Sequence, residues 1–267
     1  MLKMPGFKEK ALLLRAEPDN PIPPGFDYIY IGDEFCQRCL PDSKTIRNTA
    51  DQCAGSNANL TLVTSYLTGE GIDRLKVLLD YILLNSIACE LVINDWGVLE
   101  LLEDYPACFR VIAGRLLISR YLSKFNYQDP VSAGSGKLEN DFYYSFPWDF
   151  LTFLKNRNIT ALEFNNSNHL LKTRGQLKKN NLKAHIYLPY YYLNTSRYCS
   201  CARGYGSYMQ NIDDACNKEC NSLIAIRRDN YLNADILSRG NTLFVKEKKA
   251  IDDLGLDADR VIYNDQF

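Results

Sequence analysis

A chain of 267 residues, 46% hydrophobic and 24% charged, is long enough for a substantial core and has the composition of an ordinary globular protein. Its 31 Lys and Arg balance 32 Asp and Glu, so charge indicates neither a nucleic-acid surface nor an acidic solvating tail. The opening residues lack the apolar stretch of a signal peptide, and no run nears the roughly 18 apolar residues of a membrane span, so a cytoplasmic location is expected.

Eight short runs rich in Val, Ile, Leu, Phe and Tyr read as strands: 11–15, 28–31, 60–64, 90–93, 109–113, 161–164, 184–188 and 260–263. Between them, Ile72, Leu75, Leu78, Leu79, Ile82 and Leu83 recur at helical spacing, as do Phe150, Leu151, Phe153 and Leu154 after Pro147 and Asp149. Strand alternating with helix implies parallel pairing, and eight strands suffice for closure. The expected fold is therefore an α/β, TIM-like (β/α) barrel, with residues 1–267 forming one domain.

Three segments depart from a regular barrel. Residues 17–25 carry four prolines, which forbid a crossover helix of normal length. The first crossover is therefore shortened, and the wall is expected to be open there. Residues 127–144, with Ser132-Ala-Gly-Ser-Gly-Lys137, read as a long polar loop, mobile or a lid. Residues 194–221 form a cysteine-bearing insertion, and the runs 224–226 and 242–245 after it read as a hairpin inserted before the last strand.

Nine cysteines in a reducing compartment do not form a disulfide framework, so clustered thiols read as metal ligands or redox groups. Cys36 follows an early strand and forms a C-x-x-C with Cys39, a possible zinc half-site or redox pair. Cys199 and Cys201 lie two apart, and Cys216 and Cys220 can direct both sulfurs to one centre from a single turn. Four such thiolates, soft and tetrahedrally disposed, suit a 4Fe-4S cluster or, alternatively, zinc. Cys89, Cys108 and Cys53 read as buried or incidental, the first two at strand starts and the third in a polar loop.

Other candidates sit at strand ends. Asn94 and Asp95 could handle a proton or a substrate hydroxyl, or cap the helix that starts at Trp96. Arg115 could bind a carboxylate or form a structural ion pair. Glu163 and Asn165 alternate along the sixth strand and could enter the barrel, where a buried carboxylate is functional or paired. His185 reads as a core histidine and His169 as a surface one. The run Tyr190-Tyr-Tyr192 could plug the barrel rim or stack on a flat ring, and Lys178-Lys179 and Arg227-Arg228 read as solvated.

Four segments, Tyr30-Ile-Gly-Asp-Glu-Phe-Cys36, Val92-Ile-Asn-Asp-Trp-Gly-Val-Leu99, Ile112-Ala-Gly-Arg115 and Cys199 with Cys216-x-x-x-Cys220, resemble peptidase family U32, the collagenase-like proteins. The likeness spans about 11–263 and is closest to the ubiquinone-biosynthesis branch, UbiV and UbiU. It implies that Cys36, Cys199, Cys216 and Cys220 hold a 4Fe-4S cluster on a TIM-like barrel; the spacing of the residues themselves leaves Cys39 and Cys201 as alternatives to Cys36 and Cys199. It further implies oxygen-independent hydroxylation, of a ubiquinone precursor or an RNA base, by a heterodimer with a sister U32 subunit, and a small organic substrate of which prephenate is one. A non-catalytic, cluster-bearing partner subunit is the alternative. Peptidase activity comes third, because no Ser-His-Asp, Cys-His or His-x-x-x-His pattern supports it.

Overall fold

Each of the eight apolar runs becomes a stave of a closed barrel in the computed structural model, which describes residues 9–15, 21–105, 108–122, 146–165, 169–197, 199, 201, 216–222, 224–229, 234–246 and 257–264. In chain order the first seven staves are β1 (Glu9–Leu14), β2 (Tyr28–Gly32), β3 (Asn59–Val63), β4 (Cys89–Ile93), β5 (Arg110–Ala113), β6 (Ile159–Asn165) and β7 (Lys183–Leu188). Four strands then depart from the barrel: β8 (Tyr190–Thr195), β9 (Ala225–Asp229), β10 (Ala234–Arg239) and β11 (Thr242–Lys246). The last stave is β12 (Arg260–Asn264), and the closed order is β1-β12-β7-β6-β5-β4-β3-β2. All eight barrel pairings are parallel.

Helices α1 (Ser43–Ser56), α2 (Gly69–Leu84), α3 (Trp96–Leu101), α4 (Arg115–Leu122), α5 (Trp148–Asn156) and α6 (His169–Lys179) join the staves from β2 to β7. The first three are started by side chains that satisfy free backbone N–H groups: Asp42 accepts from Thr45, Thr68 from Gly71 and Asp95 from Gly97. In α2, Leu75, Leu78, Leu79 and Ile82 are buried against the barrel, each contributing about 1.5–3 kcal/mol of apolar burial.

Side chains alternate across each stave, and the inward set makes a core of its own. Ala11, Leu13, Tyr28, Tyr30, Val63, Val92, Ile112, Ala161, Tyr187 and Ile262 fill the lumen. Two residues from five of these lie Thr61, Glu90, Glu163, His185 and Arg260, so the same inward face also carries a buried polar layer. Arg260, His185 and Glu163 are cross-strand neighbours in register. The lumen is a packed interior, not a pore.

Among the described residues no helix lies between β1 and β2, as the proline run requires. The expected open wall is corrected, however: β1 pairs with both β2 and β12, so the ladder closes and only outer helical cover is missing there among those residues. The expected hairpin is also corrected. The runs at 224–226 and 242–245 are not partners; β10 lies between them, pairing antiparallel with both β9 and β11, and β8 completes the sheet β8-β11-β10-β9. The tight turn is Gly240-Asn241, where Gly240 takes φ +61. Cys53 belongs to α1 and is buried there, not in a polar loop. The polar loop at 127–144 lies outside the described residues, as do the side chain of His169 and much of the cysteine insertion.

Candidate metal centre at the barrel mouth

Backbone geometry turns the chain sharply where β2 ends. Gly32 takes φ +120, and a Cβ there would stand 2.3 Å from the carbonyl oxygen of Val63, so only glycine lets β2 press against β3 at this point. The next residue, Asp33, folds the loop back by accepting from the backbone N–H of Phe35 at 2.7 Å and of Cys36 at 2.9 Å. Cys36 is thereby held at the carboxyl end of the staves, the face on which barrel proteins assemble their sites. A short turn at Gln37–Cys39 follows, and it brings Cys39 back beside Cys36.

The inserted sheet supplies the other wall. Phe35 packs against Tyr192 and Phe244, with ring centroids 5.2 and 5.5 Å away, and Tyr190 joins this apolar contact. The tyrosine run therefore plugs the rim. Asn241, in the hairpin turn, donates to the carbonyls of Phe35 at 2.6 Å and Ser196 at 2.7 Å and to the Tyr66 hydroxyl at 3.3 Å. One amide thus ties the Cys36 loop, the loop after β3 and the end of β8 together.

Thiols from both walls meet here. Cys36 and Cys39 share a hydrogen bond that lowers the pKa of Cys36 and, with burial, raises that of Cys39, so Cys36 is the readier thiolate. Cys199 hydrogen-bonds Cys220 and, with the nearby Arg15 guanidinium, pushes Cys220 down to about 6 against the opposing effect of burial. Cys216 is raised by burial, with the charges of Cys36 and Cys220 adding to it, and its sulfur accepts from the Lys218 N–H at 3.3 Å. Five thiols from two distant stretches therefore sense one another at one place. Cys201 is buried as well. Among the described residues, no three His, Cys, Asp or Glu side chains stand in a closed ligating arrangement.

Arg15, read only as the end of the first strand, stands at the centre of this site. Its guanidinium donates to Cys220 Sγ at 3.1 Å and to Asn221 Oδ1 at 3.1 Å, and it ion-pairs with Asp33. Arg239 approaches from the other side, with Nε 3.0 Å from the Cys220 carbonyl oxygen. Between these residues and Gly32, Glu34, Asn264 and Phe244 lies a cavity of about 20 Å³, room for about one water. The only sequence signal for Arg15 is a lone charge closing an apolar run.

Of the non-cysteine candidates, Arg115 and Glu163 enter the barrel, while Asn94 and Asp95 are occupied in shaping loops. Asp95 caps α3 and also accepts from the Leu67 N–H at 2.8 Å. Asn94 donates to the Thr64 carbonyl at 2.8 Å and accepts from Leu116 N–H at 3.1 Å. Arg115 is 2% exposed and forms the ion pair of its two possible roles, binding both carboxylate oxygens of Glu34. It also donates to Asn165 Oδ1 at 2.9 Å and lies 3.8 Å above the Tyr187 ring. Glu34, inside the quoted Gly-Asp-Glu segment, had no separate signal.

Below this pair sits Glu163, fully buried, accepting from the Tyr187 hydroxyl at 2.8 Å. Burial, and then the Glu34 charge, push it up to about 8, so it keeps its proton at neutral pH. Its second oxygen is 4.0 Å from His185 Nδ1 and, among the described residues, has no hydrogen-bond partner; nor has His185 Nε2. His185 is thus the expected core histidine in place, held neutral by burial and then by the Arg260 charge, but one nitrogen is unsatisfied. Arg260 binds Glu9 at 2.9 Å, Glu90 at 2.6 Å and Tyr30 at 2.9 Å, closing the polar layer.

No helix among the described residues is long and apolar enough to cross a membrane. Comparison with protein-family models, with curated proteins and with solved structures finds no significant match to this chain.

Proposed function

We propose that this chain is an iron–sulfur protein in which Cys36, Cys199, Cys216 and Cys220 hold a 4Fe-4S cluster at the mouth of the barrel. The observation that supports the reading is that Cys36 lies near enough to Cys216 for their charges to interact, while Cys199 bonds Cys220, so that thiols from stretches far apart in sequence share one end of the barrel. The donor set fits in kind, thiolates being soft ligands suited to iron–sulfur clusters, while among the described residues the sulfurs are not closed around one centre. Zinc is the alternative occupant of the same sulfurs. Two details support this set over its substitutes: Cys36 is the more acidic of the C-x-x-C pair, and Cys199 is the thiol that bonds Cys220. When bound, the cluster supplies one-electron redox chemistry, and the chain's part is to hold it, shield it and set its charge environment.

In the wider role that the U32 resemblance suggests, the protein acts in oxygen-independent hydroxylation with a sister subunit, either as the catalytic subunit on a small organic acid or as its cluster-bearing partner. One observation favours the partner role. The cavity beside Arg15, lined also by Asp33, Glu34 and Arg239, takes about 20 Å³, whereas organic ligands occupy pockets of roughly 300–1,000 Å³. Arg115 is likewise saturated by Glu34 and Asn165.

Anaerobic purification with iron, sulfide and zinc analysis tests the reading. Four irons and four sulfides per chain are expected, with loss on alanine substitution of Cys36, Cys199, Cys216 or Cys220 and retention in Cys39→Ala and Cys201→Ala. Iron unchanged by all four substitutions sinks it. Activity only when a relative is co-expressed supports the partner role.

A further inference from the structure

We infer that the end of the barrel away from the thiols carries a separate binding site for a free α-amino acid with an apolar, ring-sized side chain, and that Arg157 and Glu103 take its two charges. The inference needs neither the cluster nor the barrel mouth.

The site lies outside the lumen, between β5 and the helices that cover it. Side chains alternate along β5, so Ile112 fills the lumen while Val111 faces the helices. Around Val111 stand Leu99 of α3, Leu102 and Tyr105 from the turn after it, and Phe109 just before β5, all five buried in one apolar cluster. They do not fill the space. A cavity of about 220 Å³ remains, larger than the roughly 150 Å³ of an engineered apolar cavity that binds benzene in another protein. Its aromatic wall is held in place: the Tyr105 hydroxyl donates to Asp80 at 2.6 Å, and the Tyr105 ring stands edge-on to Phe109 with centroids 6.3 Å apart.

The rim is polar, made by Glu103, Asn156, Arg157 and Asn158. Arg157 ion-pairs with Glu103 through Nη1 and Oε1, and among the described residues no other acceptor meets its guanidinium and no donor meets Glu103 Oε2. Charges of both signs, each with capacity to spare, therefore stand at the mouth of an apolar cavity. That arrangement is complementary to a zwitterion. The guanidinium fork takes the carboxylate and the free oxygen of Glu103 takes the ammonium, while the side chain enters the cavity. A simple carboxylate would face the like charge of Glu103 and a simple amine that of Arg157, whereas a neutral ring would leave both charges unused.

Calorimetric titration of the full chain with L-phenylalanine as the probe is the test. Binding is expected to weaken by at least about tenfold for 3-phenylpropanoate, which lacks the ammonium, and for 2-phenylethylamine, which lacks the carboxylate, since each loses a charge-assisted hydrogen bond. Toluene, lacking both, binds more weakly still. Arg157→Gln should remove the preference for phenylalanine over phenylethylamine, and Glu103→Gln the preference over phenylpropanoate. Neither side chain is buried, so the fold survives both changes. Methyl resonances of Leu99 and Val111 should shift as the site saturates, which locates the ligand. No binding of phenylalanine at millimolar concentration, equal affinity for the singly charged analogues, or methyl shifts that leave Leu99 and Val111 unmoved would each overturn the inference, and none of them bears on the cluster reading.

Discussion

Arg115 and Glu34 put an ion pair in the buried interior, each 2% exposed, and three of the five guanidinium N–H groups reach fixed acceptors there. Two contacts go to Glu34, one goes to Asn165, and the guanidinium face rests on Tyr187. Removing one partner strands the other charge, so Glu34→Gln is expected to lower unfolding free energy by about 3–5 kcal/mol in urea titrations. A loss below about 1 kcal/mol would show that water reaches the pair. Glu163 behaves in the opposite sense. Its folded pKa of about 8 lies above the ordinary value of 4.5, so the fold prefers its neutral form. That contribution is fully present below pH 4.5 and is lost as pH rises towards 8, because the unfolded chain releases the proton first. The groups facing Glu163 are Tyr187, His185, Glu34, Arg115 and Arg260, and none of them changes in Glu163→Gln. Melting curves should therefore show the Gln variant gaining on wild type between pH 5 and pH 8.5, with little difference at the acid end; equal gains at both pH values would refute a raised Glu163.

At the level of elements, the site depends on two joints. The first is the end of β2, where Gly32 combines φ +120 with a 2.3 Å approach to Val63. Gly32→Ala cannot keep both, and strain of about 1–3 kcal/mol together with a displaced Cys36 loop is expected, read as a lower melting temperature and lower iron content. The second joint is the Gly240-Asn241 turn. Asn241→Ala removes the amide that reaches Phe35, Ser196 and Tyr66, leaving two carbonyls to find water. Iron retention should fall in that variant while the far-ultraviolet circular dichroism of the barrel stays unchanged. The first joint is a backbone device and the second a side-chain amide, and neither uses a cysteine.

Across the whole molecule, the barrel is held by its own ladder and helical cover, whereas the β8–β11 sheet is joined to it by side-chain contacts: Phe35 against Tyr192 and Phe244, the Asn165 amide on the Tyr192 backbone, the Tyr66 hydroxyl on Ser196, the Asn241 amide and the thiols. Metal binding to such a joint is also folding energy for whatever it joins. If the proposed cluster is bound, chelating its iron is expected to speed hydrogen exchange in β9 and β10 while amides of β3 to β6 keep their protection; uniform protection after chelation would show that the sheet is docked without metal. The eight staves, helix α2 and the prolines of the first crossover were legible in the sequence because each is a local pattern: a period, a run, or a residue that cannot donate a hydrogen bond. That the cysteines fall into an early pair at 36 and 39 and a late group at 199–220 was legible in spacing alone. Tertiary structure alone decided the rest. Pairing β10 between β9 and β11, committing Arg115 to Glu34 and setting Arg15 against Cys220 each join residues far apart in the chain. No local pattern encodes such partnerships: a lone arginine at a strand end looks the same whether it faces water, a carboxylate or a sulfur, and only the closed barrel determines which.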